Sequence, residues 1–550
     1  MKEVTISFPN GKTVRAPVGK APIDFLTCFD EDPDTILAVF INNKLASLTS
    51  SIQVNCGLEP VLKGTRKGSE VYRQSLCFLL SSASHKLFPG ARLLIGHSLG
   101  DSYYYTLEKN SPLSDDDIRA LKDEMLSLAE QNLPITADTI SYADACALFE
   151  TLGLVETRKM LRYICPPSIK VNTMGGFTEM DYGPLASSSG GLRVFDLTRY
   201  AEGFLLRYPP WDRPDEVAPF ADDSQLFSVY KQYKEWGRLV GVTSAASLNE
   251  LIHNRGIKEL IDITELLQQK HFAGIADSIA GRKTVRLVLM AGPSSSGKTT
   301  SSKKLALHLH ALGYTPKLIS LDSYYRGRDR TPRDAEGNYD YECLEALDVE
   351  QLGADLDALF RGRTIRLPEY DFISGKRSLG KTTLALADRD ILIMEGIHGL
   401  NDKLTPGVPA EYKFKLYLSA LTQLSLDDHN RVPASDNRLI RRIVRDSLFR
   451  GHSAAATIKS WANVQRGERL HIFPFQRNAD AILNTALDYE LPVLKVYADS
   501  LLRCVSPFED EYAEASRLLS FLDHFLPIPA KNVPGQSIIR EFIGGSDFKY

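Results

Sequence analysis

The stretch TVRLVLMAGPSSSGKTT, residues 284–300, carries the most information in the chain. An apolar run, Leu287 to Met290, feeds the loop Gly292-Pro293-Ser294-Ser295-Ser296-Gly297-Lys298-Thr299-Thr300, and a helix-like segment follows. The spacing is G-x-x-x-x-G-K-[ST], that of a phosphate-binding loop. Glycines there let backbone N–H groups close around phosphate oxygens, and the helix N-terminus adds a favourable dipole. All of Gly292 to Thr300 are the expected ATP contacts. Lys298 would reach the β- and γ-phosphates, and the Thr299 hydroxyl would ligate Mg²⁺. The chain is expected to bind a nucleoside triphosphate.

At 550 residues the chain is too long for one core, and about three or four domains are expected. A hydrophobic content of 43% and a charged content of 24% are ordinary globular values. A net charge of −4 argues against a chain-wide nucleic-acid surface. Seven cysteines are scattered from Cys28 to Cys504 with no C-x-x-C pair, which fits free thiols in a reducing compartment and gives no zinc site. The start, MKEVTISFPNGK, has no apolar signal core, and no apolar run approaches about 18 residues. These features give the expectation of a cytoplasmic protein without a membrane partner.

Residues 1–65 read as a β-rich unit. Val4, Ile6 and Phe8 alternate, Asn10-Gly11 signals a hairpin, and Thr13 to Ala16 returns. Ile36 to Ile41, before Asn42-Asn43, gives another strand. Seven basic and seven acidic residues share positions 1–66, a balance that leaves no electrostatic footprint for RNA. Residues 70–205 read as an α+β unit. Ser114-Asp115-Asp116-Asp117 opens a helix with a capping box, Asn132-Leu133-Pro134 closes it, and a second helix runs near Tyr142–Leu152. The stretch Tyr208–Pro219 carries four prolines and reads as a linker, and residues 224–280 are helical in pattern. There Leu260, Ile263, Leu266 and Leu267 have core spacing and are expected to pack on a neighbouring domain. From Val285 onward, strand-like runs recur at Pro316–Leu321, Ile391–Met394 and Phe414–Leu418, separated by helical stretches, as a parallel α/β domain requires. The expected division is 1–65, 70–205, a linker and helical segment at 206–283, an α/β domain at 284–505, and a tail at 506–550.

The first 65 residues resemble the ubiquitin-like TGS domain that begins threonyl-tRNA synthetases, and residues 70–205 resemble the editing domain that follows it there. The resemblance rests on Lys86-Leu87-Phe88-Pro89-Gly90-Ala91, Ile95-Gly96, Tyr103-Tyr104-Tyr105, Asn132-Leu133-Pro134-Ile135, and Gly183-Pro184 near Phe195-Asp196-Leu197. The editing family uses an H-x-x-x-H pair and a later C-x-G-P-H segment. The corresponding positions here are Gln74, Phe78, Asp181 and Leu185, of which Phe and Leu cannot bind a metal and Gln is a poor ligand. His85 and His97 lie nearby but are read as ordinary histidines. The unit is expected to be a retired editing domain serving substrate gating, oligomerisation or regulation.

Phosphoryl transfer to an alcohol needs cationic clamps, a metal and a carboxylate to accept the hydroxyl proton. The strand-like run Pro316–Leu321 ends at Asp322, and ligands in open α/β sheets bind beyond the carboxyl ends of strands, so Asp322 is the candidate base. Its bland alternative is an Asx-type turn residue. The run Ile391–Met394 ends at Glu395, which could help hold Mg²⁺ or merely end the strand. Arg438, Arg441, Arg442 and Arg445 fall within about a 100° arc of one helix, opposite Leu439, Ile440, Ile443 and Val444. A lid that neutralises the transferring phosphate is preferred over a solvated face.

These segments resemble the uridine kinase and phosphoribulokinase family, in its uridine–cytidine kinase branch, over about residues 285–500. Besides the loop, they include Asp322-Ser323-Tyr324-Tyr325, Tyr339-Asp340, Ala346-Leu347-Asp348, Pro368-Glu369-Tyr370-Asp371-Phe372 with Arg377, Glu395-Gly396-Ile397, Arg441 to Asp446 with Arg450-Gly451, and Ala479-Asp480. The resemblance implies ATP and Mg²⁺ as cofactors and a small nucleoside-like acceptor. Asp322, Lys298 and Arg445 would be catalytic, with Thr299, Asp322 and Glu395 at the metal. Asp340 would lie on the ribose hydroxyls, Tyr370 and Phe372 around the base ring, and Tyr325, Arg377, Arg442 and Arg450 on substrate and phosphates. The departures sit where a base would be read: the family's F-D-H-P block is Tyr339-Asp340-Tyr341-Glu342, a histidine position is Gly375, and an arginine position is His452. Uridine or cytidine is the first acceptor expected. Another nucleoside, a sugar phosphate, or an RNA- or ribosome-associated NTP switch stays open, as does a homo-oligomer.

Overall fold

The computed structural model describes residues 2–333, 337, 339–371 and 374–549. Its first sheet runs Thr13–Pro17, Glu3–Ser7, Cys56–Leu62, Ile36–Ile41, Lys44–Ser47, with Glu3–Ser7 and Cys56–Leu62 parallel and the other pairs antiparallel. Alternation sends Val4 and Ile6 inward, and Asn10-Gly11 makes the expected turn, Gly11 at φ +81°. The helix Arg66–Leu87 then begins, capped by the Thr65 hydroxyl on the Gly68 N–H. It packs on a four-stranded antiparallel sheet of Asp196–Tyr200, Gly203–Arg207, Ser102–Glu108 and Arg92–Ser98. A three-stranded sheet, Phe177–Met180, Ser168–Met174 and Thr136–Ser141, completes this second unit. Leu37, Ala38 and Val61 of the first sheet join the core of the second unit, so the two share one apolar interior.

The third sheet has five strands, all parallel, in the order Thr315–Ser320, Asp390–Glu395, Leu287–Ala291, Lys413–Ser419, Ala481–Asn484. Leu287–Ala291 is buried throughout, as a strand covered on both faces must be. Chain order reverses at this strand: the first connection crosses to Thr315–Ser320 on one side, and Lys413–Ser419 lies on the other. The resulting switch point opens a cleft at the carboxyl ends. An antiparallel pair, Ile365–Asp371 with Lys376–Leu384, stands apart from the sheet.

Residues 224–281 form three helices, Ser224–Val240, Ala245–His253 and Ile257–Gly281. The first buries Phe227 and Tyr230 against Leu99, Tyr104 and Leu205 of the second unit, and the other two pack into the core of the parallel sheet, as expected of a stripe facing a neighbouring domain. Within the last of them the buried line is Leu260, Ile261, Thr264, Gln268, Phe272, Ile275 and Ile279, while Leu266 is 70% exposed. Of the expected stripe, Leu260 is buried and Ile263 and Leu267 are half-buried, so Leu266 is the member that faces outward. The stretch 506–550 is not an appended tail: Leu518, Leu522, Ile538, Ile539 and Phe542 are buried in the same core. Among the described residues no helix is long and apolar enough to cross a membrane.

Candidate active site

The loop after Leu287–Ala291 turns back through Ser295 at φ +59° and Gly297 at φ +78°, and the loop helix Lys298–Ala311 starts there. A left-handed Gly297 is needed because a Cβ would also come within 2.6 Å of Ile538 Cγ2. The Lys298 ammonium donates to the Gly292 and Pro293 carbonyls at 3.0 and 3.1 Å, folded over its own loop. Among the described residues the buried Ser295 and Ser296 hydroxyls have no hydrogen-bond partner, an unmet donor capacity that suits an anion.

The helix Ala434–Arg450 braces the loop from behind. Arg438 pairs with Glu468 and donates to the Ser294 carbonyl at 3.1 Å, while Glu468 accepts from the Ser294 N–H at 3.1 Å. Arg441, fully buried, donates to the Ser295 and Thr485 carbonyls and to Glu490. These two arginines are therefore not part of a lid, contrary to the single arginine face expected. Their partners Glu468 and Glu490 come from later helices and could not be seen near them in sequence. Buried charges persist only when paired in this way.

The lid-like group is smaller. Arg442, Arg445 and Arg450 gather on the single buried carboxylate of Asp446 at 3.3, 2.8 and 3.6 Å. Asp446 answers only part of their charge; Glu342 and Glu468 also act on Arg442, and Asp322 acts on Arg450. Arg442 also donates to the Ser294 hydroxyl at 2.7 Å, which ties the group to the loop. His452, at an arginine position of the resembling family, donates its backbone N–H to Asp446 O at 3.1 Å.

Three oxygen-bearing groups meet where the strands end. The Thr299 hydroxyl donates to Glu395 at 3.4 Å, and Ser320, two residues before Asp322, stands opposite Glu395 in the parallel register. Burial, with Asp322 and Glu541 adding repulsion, pushes Glu395 up to about 7 against the pull of Lys298. Asp322 faces the open cleft and is raised by the surrounding protein, opposed by Lys298, Arg450 and Arg445. Thr299, Asp322 and Glu395 offer the hard oxygen donors that Mg²⁺ takes.

Around the mouth stand Tyr325, Tyr341 and Tyr370, with the Tyr325 ring 6.0 and 5.6 Å from the other two. Asp340 accepts from the Glu342 N–H at 3.0 Å, in a local turn. Glu342 was not foreseen as a site residue; burial and Glu468 lift it to about 7 although Arg442 and Lys298 act against this. Arg377, expected on the substrate, instead pairs with Asp348 at 2.7 Å, and Asp348 caps the helix Val349–Phe360. Gly375 sits at φ +67° under Arg328, whose Nε would lie 2.6 Å from a Cβ there. A histidine there would strain the backbone and would have to displace the Arg328 side chain. Phe372, expected beside the base ring, lies outside the described residues.

A cavity of about 30 Å³ lies in the editing-like unit, with His429 and Asn430 of the P-loop domain in its wall. Gln74, Phe78 and Leu185 line it together, so the positions matched by motif do converge. Asp181 is nearby, accepting from the Gly183 N–H at 2.8 Å and from Asn172 at 3.2 Å. Sequence reasoning missed the residue that fills it: His429, from the loop after Lys413–Ser419, meets Glu179 at 2.5 Å. Burial alone would depress the imidazole, but Glu179, with Asp427 and Asp428, lifts it to about 9. Tyr182 and Thr157 donate to Asp427 at 2.7 and 3.0 Å, and the Ile95 N–H donates to Asp428 O at 2.9 Å. Among the described residues no group of three metal-ligating side chains forms.

The parallel sheet, the glycine loop and the cleft define a P-loop domain. Residues 287–491 match the profile of the Phosphoribulokinase / Uridine kinase family, so this part of the chain is a P-loop domain of that family, which implies a nucleoside triphosphate. The N-terminal region is similar to threonine–tRNA ligases. That of Maridesulfovibrio salexigens is 32% identical over 161 residues, 29% of this chain and 25% of the ligase. That of Desulfovibrio desulfuricans is 28% identical over 202 residues, 35% of this chain and 30% of the ligase. The chain thus spans about a quarter to a third of these curated relatives. Among solved structures, a possible uridine kinase from Bacillus stearothermophilus shares 22% identity at a TM-score of 0.27, covering 40% of this chain and all of that one.

Proposed function

We propose that this chain transfers the γ-phosphoryl group of ATP, with Mg²⁺, to a hydroxyl of a small acceptor, a ribonucleoside 5′-hydroxyl being the first reading. The observation that carries the proposal is a single cleft in which Asp322 feels Lys298, Arg445 and Arg450 at once. Asp322 would accept the proton of the attacking hydroxyl, since a carboxylate lifted toward neutrality is a better base than an ordinary one. Lys298 would leave its own loop carbonyls for the β- and γ-phosphates, and Arg442, Arg445 and Arg450 would balance charge on the group in transit. Thr299, Asp322 and Glu395 would hold Mg²⁺, which supplies further neutralisation of the phosphates.

One observation favours a second acceptor class within the same reaction. At the position where the family would read a base edge, the exposed Arg328 lies over Gly375, and a cation there suits an acceptor that carries phosphate or carboxylate. A panel of nucleosides and sugar phosphates, scored for ADP release, tests both readings. The expected result is one acceptor class well above the rest, abolished by Asp322→Asn. ATP binding without turnover on any acceptor, together with tight RNA binding that weakens with salt, would instead make the chain an NTP-dependent switch. The editing-like unit, on this reading, serves gating, oligomerisation or regulation rather than hydrolysis.

A further inference from the structure

We infer that Glu541 is a further residue of the nucleotide site: a carboxylate from the C-terminal segment that holds the place of a nucleotide phosphate on the loop helix and is exchanged for it. The inference rests on the nucleotide-binding reading above. The loop helix begins at Gly297, which has no side chain to cap it. The first amides of a helix have no partner within it, and in a glycine loop those amides cradle the α- and β-phosphates. Here the Thr300 N–H donates to Glu541 Oε2 at 3.1 Å, and the Thr300 hydroxyl donates to the same oxygen at 2.5 Å. An anion already occupies this part of the cradle.

The segment that delivers it is anchored independently. Ile538, Ile539 and Phe542 are fully buried in the core, Ile538 packs on Gly297, and Ser537 meets the Tyr489 hydroxyl at 3.1 Å. The Arg441 guanidinium that holds the Ser295 carbonyl also lies 5.1 Å from the centre of the Phe542 ring, so one side chain ties loop and segment together. Glu541 itself is only half-buried. Its side chain can turn away without unpacking its neighbours.

Electrostatics argue that it must. Glu541 adds to the repulsion that Glu395 already feels, in a cleft that has to accept a polyanion. A phosphate oxygen and a carboxylate oxygen cannot share the Thr300 N–H and hydroxyl. Nucleotide entry therefore breaks two hydrogen bonds, and the empty loop is stabilised at the expense of affinity. A carboxylate on a helix N-terminus is worth enough to shift binding by about two- to thirtyfold.

The test compares wild type, Glu541→Ala and Glu541→Gln by calorimetric titration with Mg-ATP and with adenosine, and by nucleotide-free melting. The expected result is a lower Tm without nucleotide for both variants. ATP binding should tighten by about two- to thirtyfold in Glu541→Ala and by less in Glu541→Gln, while adenosine binding stays the same. If Tm falls but ATP affinity is unchanged or weaker, Glu541 is only a structural cap and the inference is overturned. If wild type binds ATP, Lys298→Ala weakens it, and both Glu541 variants match wild type, this inference alone fails. If neither wild type nor the Glu541 variants bind ATP, the nucleotide reading fails and takes this inference with it.

Discussion

The editing-like cavity and the P-loop cleft are built from the same kinds of side chain and end in opposite electrostatic states. In the cavity, Phe78 and Leu185 replace polar positions, and the charge that remains is closed into the Glu179–His429 pair. Its 30 Å³ has room for about two waters. In the cleft, charge is only partly answered: three arginines share Asp446, while Asp322, Glu342 and Glu395 are all pushed upward by the surrounding protein. Groups held in mutual tension mark a site made to bind something, whereas a closed pair marks packing. The lesson is that a cleft can be judged by whether its charges are already answered from within the protein.

The largest expected effect tests the cleft. Asp322→Asn keeps the shape of the side chain but cannot accept the hydroxyl proton, so kcat should fall by about 10²–10⁴ with ATP binding retained. Lys298→Ala should damage binding and turnover together. Steady-state kinetics on the best acceptor from the panel, beside ATP titration, separate the two patterns. Unchanged kcat in Asp322→Asn would move the base elsewhere.

Within the arginine helix the comparison can be made between neighbours. Arg445→Ala should cost about 10²–10³ in kcat with little change in melting, because its charge is directed at the cleft. Arg441→Ala should cost about 3–5 kcal/mol of stability by leaving Glu490 buried and unpaired. Urea unfolding and kinetics on both variants give the readout, and equal effects would erase the distinction between lid and brace.

Much of this was legible in residues and some was not. The strands were readable because apolar runs and the glycine loop are local signals, and Thr315–Ser320, Asp390–Glu395 and Lys413–Ser419 lie where the runs lie. The hairpin at Asn10-Gly11 and the Ser114 capping box were readable for the same reason. Glu468, Glu490 and Glu541 were not, since each acts on a loop or helix 30 to 241 residues away and has no periodic signature of its own. His429 was hidden further, because its partner Glu179 belongs to a different unit, 250 residues earlier. Helical spacing placed Arg438 and Arg441 on the lid face correctly as geometry, but spacing cannot say what a face packs against.

Closure of the cavity predicts a pH dependence. His429 is lifted to about 9 from 6.5 in the folded chain, so its contribution to stability is complete below about 6.5 and is lost as pH rises through about 9. The lift corresponds to about 3 kcal/mol. Unfolding free energy should fall between pH 7 and 10 in wild type and stay flat over that window in His429→Gln. A flat wild-type profile would mean that the pair does not hold the two units together.

The cleft predicts the reverse coupling to metal. Glu395 is raised to about 7 in the folded chain, so between pH 4.5 and 7 the folded state keeps a proton that the unfolded state has lost, and stability falls as pH rises through that range. Mg²⁺ takes the ionised carboxylate. Its stabilising shift in Tm should be slight at pH 5.5, larger at pH 8, and lost in Glu395→Gln. A Mg²⁺ shift independent of pH would remove Glu395 from the proposed metal site.

The smallest expected effect is none at all, and it is the most direct test of the silent cavity. A zinc site needs three or four nitrogen, sulfur or oxygen ligands converging at about 2 Å. Phe78 and Leu185 offer carbon, Asp181 is engaged by the Gly183 N–H and Asn172, and Gln74 is a poor ligand. His429 and Glu179 do present ligand atoms, but they bind each other. Metal analysis of the purified chain should therefore find no stoichiometric zinc, and mischarged threonine tRNA should keep its amino acid. Reverting Gln74, Phe78 and Leu185 to His and Asp181 to Cys separates two causes of silence. If missing ligands alone are responsible, the reverted chain binds zinc and hydrolyses the ester. If the His429 loop also closes the cavity, it binds zinc weakly and hydrolyses nothing until His429→Gly is added. Stoichiometric zinc in the unaltered chain, or ester hydrolysis by it, would end the contrast between a closed cavity and an open cleft.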